Sequence, residues 1–267
     1  MDLDIIGVEN KMDKLTLTQG STNNNILYTN DDDLKVYPVG GWGASIDIIK
    51  KFEKRYRTKP IEYALYTNKK GEYRKTPSGK ILVQEGDNES VPWTADNYEY
   101  FMSLNERILC HNHPSNYEDE VNFTGRQTQI YASFSPDDIF LHIFTKQIET
   151  RVVDAKYTYV MQEPKIGWDT WLQTYDISEP QEYISETYEV SDKGFGKYIE
   201  SYYKQVKFEL YTKLKSAYET YDTEKNQYEI DDRIHGQVTH GAVVKISKKF
   251  RIPYARYKWS GYKKYNY

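Results

Sequence analysis

Three features of the 267-residue sequence predict a mixed α/β (α+β) fold. Two apolar segments open with helix-start signatures, one at Ser45 and one at Ser135-Pro136. Two others, IEYALYT from Ile61 and RVVDAKYTYVM from Arg151, read as strands, the second as a hairpin. A longer segment repeats Tyr198, Tyr202, Val206, Leu210, Leu214 and Tyr218 every four residues, as one stripe of an amphipathic helix does.

Taken in order, residues 1–45 are rich in turn-formers, with GSTNNN and TNDDD and no period, and read as an irregular arm. Ser45 is placed to cap the helix IDIIKKFEKRY, which sets Ile46, Ile49 and Phe52 on one side. After the strand IEYALYT, the turn NKKG leads to EYRK, and SGK leads to ILVQE, both read as strands. TADNYEYFMSL over 94–104 reads as a short helix and RILC as a buried strand that runs into HNHP. Residues 114–134 form a long polar connection carrying Glu118, Asp119 and Glu120, a length that suggests function or mobility. In the helix that follows, Ser135 caps, Pro136 takes the first position and Asp137 and Asp138 fill the first turn. The expected organisation is an arm (1–45), a mixed metal-binding domain (46–162) and a mainly helical, tyrosine-rich section with a basic tail (163–267).

Composition sets wider bounds. Apolar residues are 38% of the chain, yet Tyr occurs 27 times, and tyrosine packs as a hydrophobe with a polar tip. A folded chain is therefore expected. The net charge of −4 names no partner, but its distribution is uneven. Residues 1–50 hold eight acids against four lysines, while residues 245–267 hold eight Lys or Arg and no acid. The one cysteine, Cys110, allows no intramolecular disulfide. No apolar run approaches the roughly 18–20 residues of a membrane helix, and the first residues lack a secretory signal. These features lead to the expectation of a soluble intracellular protein, cytoplasmic or virion-associated, with no membrane partner. HExxH, paired CxxC and phosphate-binding glycine loops are absent.

Chemistry concentrates at Cys110-His111-Asn112-His113-Pro114. Histidines two apart on an extended chain share a face, so both imidazoles can reach one ion. Only five histidines occur in the chain, and two of them fall within three residues. A catalytic zinc needs three protein ligands and an open position. Asp138, in the first turn of its helix, is the best third ligand, with the Ser135 hydroxyl near the same ion. A base that does not ligate completes such a site, and Glu62 fits, flanked by Ile61 and Tyr63 on the opposite face.

The set Glu62, His111-x-His113-Pro114 and Ser135-x-x-Asp138 resembles the JAMM motif of the JAB/MPN metalloprotease family, over roughly residues 46–162. The resemblance implies an α/β sandwich around a curved mixed sheet and a zinc-dependent peptidase or isopeptidase using metal-activated water on a protein or peptide substrate. It implies His111, His113 and Asp138 as zinc ligands, Glu62 as general acid/base and Ser135 as an oxyanion stabiliser. The hairpin RVVDAKYTYVM also resembles divergent JAB-like modules of phage and mobile-element proteins. Twenty-one residues separate His113 from Ser135, longer than in the family; the extra length is either a substrate-binding flap or the mark of a chance Ser-x-x-Asp match.

Other readings stand beside these. Ser135 can serve as a helix cap alone, and Asp138 as a complement to the helix dipole. His142 shares a helix face with Asp138 and is either a ligand or a packing residue beside Ile139 and Ile143. Cys110 is either a nucleophile with the histidines or a small buried hydrophobe. His235 and His240 read as structural. The stretch KISKKFRIPYARYKWSGYKKYNY interleaves cations with aromatics, as single-stranded nucleic-acid binders and docking tails both do. Two further functions follow: a phage or mobile-element interaction protein carrying a JAB-like module, and a metal-dependent nuclease.

Overall fold

The computed structural model describes residues 45–87, 90–114, 116–121, 127–129, 133–177, 194–222, 227–230 and 232–258. The expected arm lies outside these residues except for Ser45, whose side chain is also not described, and so does the tail beyond 258.

The first helix, α1 (Ser45–Tyr56), buries Ile49 and Phe52 as its apolar spacing predicts. Strand β1 (Tyr63–Asn68) leads to β2, reduced to Gln84–Glu85, so the expected strands EYRK and ILVQE shrink to this pair and two bridges, Thr67–Tyr73 and Lys75–Ile81. Helix α2 (Ala95–Ser103) starts at Thr94, whose side chain accepts from the Asn97 N–H. Strand β3 (Arg107–Asn112) carries RILC and runs on through His111.

Within the long polar connection, the chain forms an antiparallel ribbon, β4 (Asn116–Val121) with β5 (Gln127–Gln129). Helix α3 (Pro136–Phe144) begins at the Ser135 cap. The predicted hairpin is β6 (Glu149–Val153) with β7 (Tyr157–Gln162). Helix α4 (Trp168–Thr174), the long helix α5 (Phe195–Tyr218), a ribbon of β8 (Glu219–Asp222) with β9 (Gln227–Ile230), helix α6 (Asp232–Phe250) and strand β10 (Tyr254–Lys258) complete the order.

These elements make a mixed α+β structure. Its main sheet has the order β10-β7-β6-β3-β1-β2. Every neighbouring pair is antiparallel except β3 and β6, which run parallel with His111 opposite Val152. Side chains alternate across the sheet. One face presents Leu65, Ile108, Cys110 and Val153 to Ile49 and Phe52 of α1. The other presents Val152, Tyr159 and Met161 to α3, α4, α5 and α6, and Ala64, Tyr66 and Leu109 to Phe101 of α2. Trp171 anchors the larger core, and its Nε1–H donates to the Phe250 carbonyl at 2.6 Å. Gly241 lets α5 and α6 approach closely, since a Cβ there would lie 2.8 Å from a Leu210 methyl.

Two expectations for the last section change. Among the described side chains of α5, Ile199, Tyr203 and Val206 are fully buried, while Tyr198, Tyr202 and Leu210 pack at the margin of the same core; Leu214 and Tyr218 lie outside the described side chains. The basic stretch, as far as it is described, is the end of α6 followed by the edge strand β10, which pairs with β7. The helical section therefore shares a sheet and a core with the first.

Candidate metal centre

β3 and α3 bring the ligand candidates together. His111 is on β3 and is buried. His113 lies just past the strand, held by its N–H donating to the Val153 carbonyl at 3.1 Å. Asp138 is the third residue of α3. Its backbone N–H donates to Ser135 Oγ at 3.1 Å, and its Oδ2 accepts from the Ser135 N–H at 2.7 Å, a closed capping box. The cap thus does two things: it starts the helix and aims the carboxylate.

The donor atoms converge. His111 Nε2 lies 3.2 Å from His113 Nε2 and 3.0 Å from Asp138 Oδ1, and His113 Nε2 lies 3.4 Å from Asp138 Oδ2. Two ring nitrogens and a carboxylate oxygen that meet in this way form a group able to hold a metal ion. Tetrahedral zinc with bonds of about 2.0–2.1 Å separates its ligands by about 3.3 Å, so the spacing and the donor types both fit. Burial raises the Asp138 carboxyl, but the His111 and His113 imidazoles outweigh it and hold the group well below its ordinary range. Asp138 is therefore ionised, as a ligand must be. His111 Nδ1 is buried with no hydrogen-bond partner among the described residues. Its Nε2 faces the carboxylate.

Glu62 immediately precedes β1, rather than lying within it, and is 8% exposed. Its Oε1 is 3.9 Å from His113 Nε2, beside the trio but outside the convergent set. Its N–H donates to the Asp87 carbonyl at 2.6 Å, and its carbonyl accepts from the Gly86 N–H at 2.9 Å. Gly86 is required there: a Cβ would fall 2.0 Å from the Ser90 carbonyl oxygen. Burial pushes the Glu62 carboxyl up. His113 and His111 oppose that shift, while Asp138 and Asp87 add to it.

The Ser135 hydroxyl accepts from Asp138 N–H and donates its one hydrogen to Asp138 Oδ2 at 2.8 Å. Serving an oxyanion requires exchange of that bond. His142 is not with the ligands. It is fully buried, with Nδ1 2.6 Å from Thr150 Oγ1 and its ring against Trp168, and burial lowers it to about 3. Cys110 sits on the α1 face of the sheet, opposite the imidazoles, and burial raises its thiol well above the ordinary value. Both features remove it from nucleophilic work. His240 Nδ1 is 2.7 Å from the Tyr254 hydroxyl, whose other neighbour at 2.8 Å is Ser133 Oγ. The side chain of His235 lies outside those described.

Two features went unread in the sequence. One is Asn112, between the histidines, whose amide bonds to the chain on either side of Glu62. The other is a sealed charged group on the opposite face. Arg151 Nε donates to Glu149 Oε1 at 2.5 Å, and its Nη1 donates to Glu53 Oε1 at 3.2 Å. The available signal was a charge at apolar-stripe spacing: Glu53 stands four residues after Ile49.

Comparison with protein families, curated proteins and solved structures returns no match. No helix among the described residues is long and apolar enough to cross a membrane.

Proposed function

We propose that this protein is a zinc-dependent hydrolase of amide bonds, a peptidase or isopeptidase, as the JAMM-like spacing implies. One observation carries the reading: two imidazole nitrogens 3.2 Å apart, each 3.0–3.4 Å from an oxygen of the Asp138 carboxylate, with the Glu62 carboxylate 3.9 Å from His113 Nε2. That is the division of labour expected between metal ligands and a base. His111, His113 and Asp138 hold the zinc. Zinc bound there supplies Lewis acidity, which acidifies water and polarises a carbonyl.

The chain's own groups do the rest. Glu62, raised by burial, takes a proton from the attacking water and returns it to the leaving amine. Ser135 keeps Asp138 aimed, through one hydrogen bond from its hydroxyl and one from its backbone N–H. No Lys or Arg among the described residues pairs with Asp138 or Glu62. The negative charge here is left for a bound cation.

The test is elemental analysis joined to turnover. The native chain is expected to hold one zinc, and His111→Ala with His113→Ala to hold none. Glu62→Gln is expected to keep the zinc and lose at least about 100-fold in cleavage of a peptide pool. A native chain that takes up no zinc on titration refutes the proposal.

A further inference from the structure

The residue between the two histidines is tied to the chain on either side of Glu62. Asn112 is fully buried. Its Oδ1 accepts from the Tyr63 N–H at 2.8 Å, and its Nδ2 donates to the Ile61 carbonyl at 3.0 Å. Those are the peptide groups on either side of Glu62. Glu62's own N–H and carbonyl are taken by Asp87 and Gly86 on the other edge. Glu62 is therefore gripped from both edges, by backbone on one side and by a single side chain on the other.

The register explains why a side chain is needed. The backbone ladder between β1 and β3 stops at Ala64 opposite His111. Continued without interruption, it would set Glu62 opposite His113, with Cβ atoms about 4.5–5.5 Å apart. The Asn112 amide reaches across there: its Oδ1 takes the Tyr63 N–H, and its Nδ2 serves the Ile61 carbonyl, whose opposite residue in the continued register, Pro114, has no N–H to give. It supplies one acceptor and one donor, a pair that neither an ionised carboxylate nor an aliphatic group offers.

We infer that Asn112 is a positioning residue for Glu62: its amide holds the strand so that the Glu62 carboxylate lies beside the His111–His113–Asp138 trio without joining it as a fourth ligand. The inference rests on the reading of Glu62 as the proton carrier, and it adds the device that keeps that group out of the ligand set.

The experiment compares four full-length variants with the native chain: Asn112→Asp, Asn112→Ala, Glu62→Gln, and Asn112→Asp combined with Glu62→Gln. Asn112→Asp keeps the volume and the acceptor for Tyr63; ionised, it has no proton to give Ile61 and adds one negative charge. It therefore covers the case in which Asn112→Ala does not fold. The readouts are zinc affinity by titration of the metal-free chain, kcat and KM on a peptide pool, and a crystal structure of Asn112→Asp. Zinc affinity is expected to stay at the native level. The kcat is expected to fall by on the order of 10–100-fold with KM unchanged, as for a group that orients a site from outside its contacts. The double variant is expected to fall no further than Glu62→Gln, because the two act as one unit. The Glu62 carboxylate is expected to leave its native place beside His113. Native kcat in Asn112→Asp, losses that multiply in the double variant, or loss of zinc from Asn112→Asp would each overturn the inference. If the native chain binds zinc but cleaves nothing, the hydrolase reading falls alone. The place of Glu62 in the Asn112→Asp crystal then decides: displaced, the positioning role stands; unmoved, it does not.

Discussion

Two charged clusters lie on adjacent rungs of the same sheet, and they are built in opposite ways. On the rung where Cys110 faces Arg151, the α1 side holds Arg151 between Glu53 and Glu149, with side chains at most 1% exposed. Gln162 and Thr158 donate to the remaining carboxylate oxygens. On the next rung, where His111 faces Val152, the other side holds two imidazoles and two carboxylates at 7–14% exposure. The first cluster contains its own cation and is closed. Burial pulls Arg151 down, but Glu149 and Glu53 carry it above its ordinary value, so it stays charged. In the second, no Lys or Arg among the described residues pairs with Asp138 or Glu62, and the side chains are more exposed. A buried carboxylate needs a partner, so where the chain supplies the cation the cluster is structural, and where it does not, a metal ion can complete it.

The largest expected effect breaks the closed cluster. Arg151→Met leaves two acids buried without a cation and should cost about 3–5 kcal/mol in denaturant unfolding. His111→Ala in metal-free protein should cost far less. Equal losses would erase the contrast.

Next comes pH. Burial raises Glu53 to about 7 from its ordinary 4.5, against the pull of Arg151. The folded state therefore binds this proton more tightly than the unfolded chain does. Stability from this group is greatest below pH 4.5 and falls as pH rises to about 7, by on the order of 3 kcal/mol. Unfolding curves of Glu53→Gln should lack that fall. The native slope persisting in the variant would show that Glu53 is not its source.

Zinc sharpens the open cluster. At a hundredfold excess over its Kd, zinc should stabilise the native chain by about 2.7 kcal/mol. His113→Ala should lose this gain and Arg151→Met should keep it, both read as shifts in melting temperature. The smallest effect belongs to the cap: Ser135→Ala should cost about 1 kcal/mol and weaken zinc about tenfold. Ser135→Thr, which retains the hydroxyl, should recover most of both.

What could be read in advance followed the range of the interactions. His111-x-His113 and the Ser135–Asp138 capping box are local patterns whose geometry follows from strand and helix periods, and the structure brings them together. The hairpin after Arg151 and the cap at Ser135 belong to the same class. The tyrosine stripe was less faithful. A four-residue repeat drifts by about 40° per step on a helix of 3.6 residues per turn, and packing against α3 and α6 chose Ile199, Tyr203 and Val206 for the centre of the buried face.

The sequence by itself determined the mixed fold class, the helix starts at Ser45 and Ser135, the histidine pair and its carboxylate companion, because each is written within a few residues of chain. Only the tertiary structure decided that β10 closes the sheet beside β7, that Glu53 meets Arg151 across 98 residues, and that Asn112 clasps the chain around Glu62 from about 50 residues away. Those contacts depend on which strands lie side by side and in what register, and burial of the whole core sets that register.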